Sequence, residues 1–125
     1  MSHEIIHTDN APAAIGPYSQ ATKGEANLFT SGQLGIDPKS GELPADFEAQ
    51  ARLAFSNVKA IVEAAGGDMT NIMKVTIFLT DMANFPVVNA VMQEFCQSPY
   101  PARSCFAVAA LPKGGLVEVE AIARI

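Results

Sequence analysis

Apolar residues recur at steps of three and four between residues 46 and 65, which is the spacing of one face of an amphipathic helix. Asp46 is a suitable N-cap residue after Pro44, and Gly66 and Gly67 allow a helix to end there. The pattern therefore predicts a helix from Asp46 to Ala65. Its apolar stripe consists of Phe47, Ala51, Ala54, Phe55, Val58, Ile61, Val62 and Ala65.

A second apolar stripe predicts a shorter helix from Pro86 to about Cys96. Proline is favoured in the first turn of a helix because the N–H that it lacks has no partner there. We expect the apolar members of this stripe to be core residues rather than ligands. They are Val88, Val91, Met92 and Phe95.

Segments rich in β-branched and aromatic residues predict four strands, at Asn27–Leu34, Ile72–Thr80, Arg103–Ala110 and Leu116–Arg124. A weaker strand begins at Glu4. This order of elements predicts an α/β (α+β) fold, in which a mixed sheet carries both helices on one face. The other face of the sheet is then left uncovered, so something else has to cover it.

The last predicted strand alternates strictly between two kinds of side chain. One face would carry Val117, Val119 and Ala121, and the other would carry Glu118, Glu120 and Ile122. A strand with both faces buried would not tolerate two carboxylates unless they were paired or lined a wet cleft.

The chain has 125 residues, of which 49% are hydrophobic. This is enough apolar surface for one hydrophobic core, so we expect residues 1–125 to form a single domain. The net charge is -5 and no two of the 8 Lys and Arg residues are adjacent, which disfavours a nucleic-acid partner. No apolar run approaches the length of a membrane span, and the N-terminus does not resemble a signal peptide. We therefore expect a cytoplasmic protein with no membrane partner.

Residues that could hold a metal or a nucleotide are poorly placed. His3 and His7 have no ligand-like spacing to other His, Cys or carboxylate residues, so no metal site is expected. Gly32–Gly35 and Gly66–Gly67 are better interpreted as a bend and a helix cap than as phosphate loops, so no nucleotide cofactor is expected. A disulfide between Cys96 and Cys105 is disfavoured because a secreted scaffold of this size normally has more cysteines.

Arg103 follows Pro99 and Pro101, which limit the backbone freedom of the segment entering its strand. Arginine can meet a carboxylate with two parallel charge-assisted hydrogen bonds, so this position suits a carboxylate clamp. The alternative is an ordinary exposed arginine at a strand end. Strand periodicity puts Cys105 on the same face as Arg103, where it either lines a cleft or is an inert buried cysteine.

Several motifs occur together, in one order and over nearly the whole chain. They are Gly16-Pro17-Tyr18-Ser19-Gln20-Ala21, Ser31-Gly32-Gln33, Asn57-Val58, Val88-Asn89, Pro101-Ala102-Arg103-Ser104-Cys105 and Glu118-Val119-Glu120-Ala121. In this the sequence resembles the reactive-intermediate deaminase family (RidA, also called YjgF). The arginine motif is typical of the deaminase-active branch of that family.

The resemblance implies a chorismate-mutase-like fold and a homotrimer with clefts between its subunits. It implies hydrolysis of 2-iminopropanoate and 2-iminobutanoate to the 2-keto acid and ammonia, with no cofactor. Pyridoxal-phosphate-dependent dehydratases that act on serine or threonine form these imines. The connection Cys96–Tyr100 is shorter than in some members, which leaves the preferred imine open.

The resemblance also implies roles for individual residues. Arg103 would bind the substrate carboxylate, and Glu118 would position or activate water. The remaining substrate contacts would come from the backbone of Gly32 and Cys105, from Tyr18 closing the cleft, and less strongly from Ser31 and Asn89. From the sequence alone, a solvated strand face remains the alternative for Glu118, and also for Glu120.

The separation of Arg103 and Glu118 within one chain can be estimated from an assumed hairpin between the last two predicted strands. If Pro112–Gly115 formed a hairpin turn, Leu111 would pair with Leu116, Glu118 with Ala109, and Arg103 with Arg124. Arg103 and Glu118 would then share a face but lie about 20 Å apart, at roughly 3.3 Å per residue. Since no small imino acid bridges that gap, we expect a site built from two chains.

Two other functions remain open at this point. The chain could be a non-catalytic regulatory trimer that binds a small keto or amino acid in the same cleft, because binding alone also needs Arg103. A ribonuclease activity, ascribed to some relatives, agrees poorly with the acidic charge of the chain.

Overall fold

The computed structural model describes residues 3–125 as one seven-stranded sheet with two α-helices. The strands are β1 (Glu4–Ile6), β2 (Ala21–Gly24), β3 (Asn27–Thr30), β4 (Gln33–Leu34), β5 (Ile72–Leu79), β6 (Ala102–Ala107) and β7 (Val117–Arg124), and the helices are α1 (Phe47–Ala64) and α2 (Phe85–Phe95). The predicted α+β class, with two helices on a mixed sheet, is confirmed. Among the described residues, no helix is long and apolar enough to cross a membrane.

Both predicted helices are present, and their end signals act as expected. The side chain of Asp46 accepts a hydrogen bond from the Ala49 N–H at the start of α1, and Gly66 follows the helix with a φ of +96°. Helix α2 begins one residue before the predicted start, with Pro86 in its first turn. Met92 is 5% exposed, so its prediction as a core residue is confirmed.

The strand order is β1-β2-β3-β7-β5-β6, and β4 also pairs with β7. All neighbouring strands are antiparallel except β5 and β6, which are parallel and are connected through α2. The predicted hairpin between the last two strands is therefore wrong, because β5 lies between β6 and β7. Strands β5 and β7 each bury one complete row of side chains under the helices, and this burial favours their central positions.

The predicted cross-strand partners are wrong for the same reason. Arg103 lies opposite Val75, Glu118 lies opposite Phe78, and Arg124 lies opposite Asn27. Residues Pro112–Gly115 form only a tight turn, in which the Gly115 N–H donates to the Pro112 carbonyl at 3.0 Å.

Three of the four predicted strands change at one boundary or more, the fourth is split in two, and one strand was missed. Strand β5 ends at Leu79, β6 begins at Ala102 and β7 begins at Val117, each one residue from its predicted bound. The segment Asn27–Leu34 is two strands, β3 and β4, because the chain leaves the ladder at Ser31 and Gly32. Strand β6 ends at Ala107 rather than Ala110. Strand β2 has the sequence Ala-Thr-Lys-Gly, which has no apolar run to reveal it, whereas the weak strand expected at Glu4 is confirmed.

The two faces of the sheet differ in what covers them. Helices α1 and α2 bury the face that includes Val75, Ile77 and Leu79. The opposite face, which we call the open face, carries apolar side chains from five strands. They are Ile5, Phe29, Phe78, Phe106 and Ile122, of which Ile5, Phe29 and Phe106 are 51%, 50% and 47% exposed. The prediction that one sheet face is uncovered is thus confirmed for the single chain.

Candidate active site

Arg103 is the second residue of β6 and points toward the helices rather than the open face. It pairs in register with Val75, whose side chain is buried under the helices, and paired residues of neighbouring strands project to the same face. Cys105 lies opposite Ile77 on that same face, while Ser104 and Phe106 lie on the open face with Thr76 and Phe78. The predicted alternation along this strand is confirmed.

The guanidinium of Arg103 is held against α2. Its Nη1 donates a hydrogen bond to Oδ1 of Asn89 and lies 3.9 Å from the Sδ of Met92. Its Cζ lies 5.1 Å from the centre of the Phe85 ring, within the range of a cation–π contact. Asn89, predicted as a substrate contact, therefore contacts the arginine itself in this chain.

A shallow cavity of about 430 Å³ lies in front of this guanidinium. Its walls come from α2 and from the segment that leads into β6. They are Asn89, Met92, Gln93, Tyr100, Pro101 and Arg103. Arg103 and Tyr100 are exposed, so an anion can reach the guanidinium from solvent.

Cys105 lies two residues beyond Arg103 on the same face and is partly buried. Burial raises the pKa of its thiol, and the positive charge of Arg103 opposes that shift only in part. A raised pKa keeps the thiol protonated near neutral pH, which makes it a poor nucleophile. The structure is compatible with the backbone contact to substrate that the resemblance implies, and it is unfavourable to thiolate chemistry.

Glu118 lines a second and larger cavity, of about 650 Å³. The same cavity contains Tyr18, Ser31 and Gly32, so the structure brings together four of the predicted site residues. Burial raises the pKa of the Glu118 carboxyl, and repulsion from Glu120 raises it further. A carboxylate with a raised pKa is a stronger proton acceptor, which suits a general base.

Gly32 lets the backbone pass close to Glu118, because a side chain at position 32 would force the Glu118 carboxyl group to move. A Cβ at position 32 would lie 2.6 Å from the carboxyl carbon of Glu118, much closer than van der Waals contact. The peptide backbone can therefore run directly past the carboxyl group. This close approach is compatible with the predicted backbone role of Gly32 in the cleft.

Tyr18 and Ser31 are held by local hydrogen bonds. The Tyr18 hydroxyl accepts from the Ile15 N–H at 3.4 Å, and the ring is 49% exposed at the cavity edge. The Ser31 hydroxyl donates to the Ser19 carbonyl at 2.6 Å. The Ser31 hydroxyl therefore supports the loop that carries Tyr18.

Three buried amide side chains fix the loops around the larger cavity. Gln20 bonds the backbone of the segment from Thr8 to Pro12. Asn57 donates to the carbonyls of Leu34 and Ile36 from α1. The third amide, Gln50, accepts from the Leu116 N–H just before β7. These amides are less than 6% exposed, so each loop is tied to the core.

The expectation that Arg103 and Glu118 share a face is wrong. Arg103 points toward α2, whereas Glu118 points to the open face with Phe78. Their partners on β5 are three residues apart and the two strands flank β5, so their Cα atoms are separated by about 14 Å at the usual strand spacings. The sheet itself stands between their side chains, so one chain cannot bring both to one small substrate.

Some residues near Arg103 and in the cavity at Glu118 were not expected from the sequence. Phe85 lies just outside the predicted second helix, although its spacing to Asn89 and Met92 is that of a single helix face. The loop Asp37–Gly41 and Lys113 also line the larger cavity. Among residues 3–125, no cluster of three or more His, Cys, Asp or Glu residues is arranged to hold a metal ion.

Comparison with known families gives a match over nearly the whole chain. Residues 8–125 match the family described as Endoribonuclease L-PSP. The 2-iminobutanoate/2-iminopropanoate deaminase of Bos taurus is 51% identical, and the alignment covers 98% of this chain and 90% of that protein. The enzyme of the same name from Escherichia coli K12 is also 51% identical, with 96% of each chain covered.

Solved structures give the same result. The crystal structure of RidA from an Antarctic Psychrobacter bacterium has a TM-score of 0.95 and 51% identity, covering 98% of this chain and 99% of that one. The crystal structure of Escherichia coli TdcF with bound serine has a TM-score of 0.95 and 49% identity, covering 98% of each chain.

Proposed function

Because the chain belongs to the Endoribonuclease L-PSP family, which includes the RidA/YjgF deaminases, we propose that it hydrolyses 2-iminobutanoate and 2-iminopropanoate to 2-keto acids and ammonia. The membership confirms the resemblance inferred from the motifs together. Relatives with about half of their residues identical carry the name of this activity, and the alignments cover nearly all of both chains.

The observation that carries the proposal is the presentation of Arg103. Its guanidinium is exposed on a cavity that a small anion can enter, and the contacts to α2 hold it in place. A 2-imino acid carries a carboxylate next to its C=N carbon, so binding the carboxylate fixes the reacting carbon. TdcF, a relative, was crystallised with serine, an amino acid with its nitrogen and carboxylate in the same relative positions.

The proposal includes an active site between two chains of a homotrimer. Arg103 and Glu118 lie on opposite sides of the sheet in one chain, so a substrate held by both needs Arg103 from one subunit and Glu118 from its neighbour. A head-to-tail contact of this kind closes into a ring. The apolar open face, with three large side chains about half exposed, supplies a surface that such a ring would bury.

The chemistry needs only positioning and one proton acceptor. A protonated imine is electrophilic, and water held by Glu118 adds to its carbon while the carboxylate takes a proton from that water. The resulting carbinolamine then collapses: Glu118 returns its proton to the nitrogen, the C–N bond breaks and ammonia leaves, and the hydroxyl gives up its proton to the Glu118 carboxylate as the C=O of the keto acid forms. Tyr18, Ser31, the Gly32 backbone and the Cys105 backbone complete the cleft.

The proposal also concerns the setting of the reaction. The enzyme acts in the cytoplasm, where Cys96 and Cys105 can remain free thiols. Its small-molecule partner is the imino acid released by pyridoxal-phosphate-dependent dehydratases acting on serine or threonine. A nucleic-acid partner is not part of the proposal, given a net charge of -5.

A coupled assay tests the activity directly. A dehydratase or amino-acid oxidase generates 2-iminobutanoate in situ, and semicarbazide trapping follows the imine that remains. We expect the protein to shorten the imine lifetime at substoichiometric concentration and native mass spectrometry to give three times the 13.2 kDa chain mass. If the protein binds 2-ketobutanoate yet leaves the imine lifetime unchanged, the non-catalytic trimer is the correct alternative.

The family description, Endoribonuclease L-PSP, supplies a second arm for the same experiment. A fluorescent single-stranded RNA is incubated with the same preparation and with its Arg103→Ala variant. We expect no cleavage that copurifies with the protein through successive columns. Cleavage that persists at constant specific activity would favour the ribonuclease alternative.

A further inference from the structure

We infer that Phe85 is a positioning residue that, with Asn89 and Met92, fixes Arg103 so that the substrate carboxylate binds along its Nε–Nη2 edge. This inference rests on the proposed function, because it concerns how the same arginine grips the imino acid. We call the three side chains on α2 the α2 cradle.

The α2 cradle is a single face of one helix. Its members are spaced four and three residues apart, so they lie above one another along α2. Met92 is 5% exposed, and Phe85 packs against the core, so two of the three are held by the interior of the protein. The cradle is therefore a rigid support facing β6.

The three members contact two parts of the guanidinium, its central carbon and its Nη1. The guanidinium carbon lies over the Phe85 ring, with Cζ 5.1 Å from the ring centre. Asn89 accepts a hydrogen bond from Nη1, and the Met92 sulfur lies 3.9 Å from the same nitrogen. Nη1 is thus the guanidinium nitrogen engaged by the protein within residues 3–125.

These restraints favour one edge of the guanidinium for the carboxylate, because Nη1 already donates one of its two N–H groups to Asn89. A guanidinium offers a carboxylate either its Nη1–Nη2 edge or its Nε–Nη2 edge for two parallel hydrogen bonds. With Nη1 engaged by Asn89, the Nε–Nη2 edge keeps both donors for the ligand. The ring of Phe85 stops the guanidinium from rotating away, so less freedom is lost when the carboxylate binds.

The chain provides a matched set of variants. Phe85→Leu removes the aromatic face but keeps an apolar side chain, and Phe85→Tyr restores the aromatic face. Phe95→Leu is the control, because Phe95 is also on α2 but its ring stacks on Phe55, with ring centres 5.6 Å apart. All three are compared with wild type for thermal stability, imine hydrolysis and 2-ketobutanoate binding by calorimetry.

We expect Phe85→Leu to raise KM and the 2-ketobutanoate Kd by about 2- to 30-fold, the range of a cation–π contact that orders a charged group. The grip on the carboxylate is made in both ground and transition states, so kcat changes much less. Phe85→Tyr returns both constants to within about twofold of wild type. Phe95→Leu loses thermal stability without a change in KM or Kd.

A spectroscopic measurement tests the inference without activity. The Nε–Hε resonance of Arg103, assigned with Arg103→Lys, is shifted by the ring current of Phe85 in wild type and Phe85→Tyr, and it loses this shift in Phe85→Leu. Titrating 2-ketobutanoate perturbs this resonance because Nε donates to the carboxylate.

The outcomes separate the two proposals. Imine hydrolysis by wild type together with equal KM and Kd in Phe85→Leu would overturn the cradle and leave the proposed function intact. A wild type that binds 2-ketobutanoate through Nε but does not hydrolyse imine would overturn the deaminase and support the cradle. An unperturbed Nε–Hε resonance on titration would overturn the assignment of the binding edge.

Discussion

The two halves of the candidate site are built in opposite ways. The half around Arg103 is a shallow, exposed cavity, and one face of α2 holds the Arg103 guanidinium in place. The half around Glu118 is a larger cavity, where burial and a neighbouring carboxylate raise the pKa of the acid. An arginine keeps its charge in water and needs only orientation, whereas a glutamate becomes a useful base only when it is partly desolvated.

This difference explains why the halves can be kept on separate faces of one sheet. The arginine side tolerates solvent until a subunit or substrate covers it, and the glutamate side is already prepared by its own chain. In the proposed trimer, each half would therefore be structured before the other arrives. Assembly of the proposed trimer would then place the two halves near each other without changing the local structure of either.

The largest expected effect comes from removing the arginine half. Arg103→Ala should lower kcat/KM by about 10²- to 10⁴-fold, because two charge-assisted hydrogen bonds of about 1.5–3 kcal/mol each are lost. Steady-state imine hydrolysis measures the loss, and circular dichroism with native mass spectrometry checks fold and assembly. Arg103→Lys, which keeps the charge without the planar fork, should recover only part of the rate. Wild-type turnover in a correctly assembled Arg103→Ala protein would exclude the clamp.

Mixing the two damaged halves tests whether they belong to different chains. Arg103→Ala and Glu118→Ala proteins are unfolded and refolded together in equal amounts, and activity is compared with each parent refolded alone. If a site takes Arg103 from one subunit and Glu118 from the next, random mixing makes about a quarter of the sites intact. We therefore expect about a quarter of wild-type activity. Activity no higher than either parent would exclude a site that combines Arg103 of one subunit with Glu118 of the next.

The glutamate half should show its desolvation as a dependence of stability on pH. Burial raises the pKa of Glu118 above its ordinary 4.5, so the folded state holds the proton more tightly and pays a penalty once the group is ionised. The measurement uses an Arg103→Ala protein, which lacks the guanidinium that the proposed neighbouring subunit would bring near Glu118. In that protein, Glu118→Gln should raise Tm by a few degrees at pH 7, and the gain should disappear below about pH 4. Glu42→Gln, on an exposed loop, is the matched control.

A smaller effect concerns the neighbour of Glu118. Glu120 raises the pKa of Glu118 by repulsion, so Glu120→Gln should lower that pKa. The acidic limb of the kcat/KM profile should then move to lower pH, while the plateau rate changes by less than about twofold. A limb that does not move in Glu120→Gln would mean that a different group controls the profile.

Local features of this fold could be predicted from the sequence. The Asp46 cap and the stripe of α1 have short-range causes, and so does the alternation of β7, which burial confirms. Family motifs identified the membership because they occur together and are spread over nearly the whole chain. Strand β2 was missed because its stability comes from pairing with β1 and β3, which no property of Ala-Thr-Lys-Gly encodes.

Strand order could not be predicted from local sequence in the same way. A tight turn at Pro112–Gly115 suggests a hairpin, but β7 pairs along its length with β5, about forty residues earlier. That choice depends on how much of each strand the helices bury, which is a property of the whole domain. Arg103 and Glu118 therefore lie on opposite faces of the sheet, and the prediction that they share a face was wrong.

The position of β6 at the end of the sheet also bears on aggregation. A terminal strand leaves one side of its backbone open, and foreign strands add at such edges. Pro99 and Pro101 stand just before β6 and have no N–H to donate, and Arg103 brings a charge to its start. These are the features that discourage strand addition. Arg103 would then protect the monomer from misassembly as well as serve the substrate, so its loss should also increase aggregation during refolding.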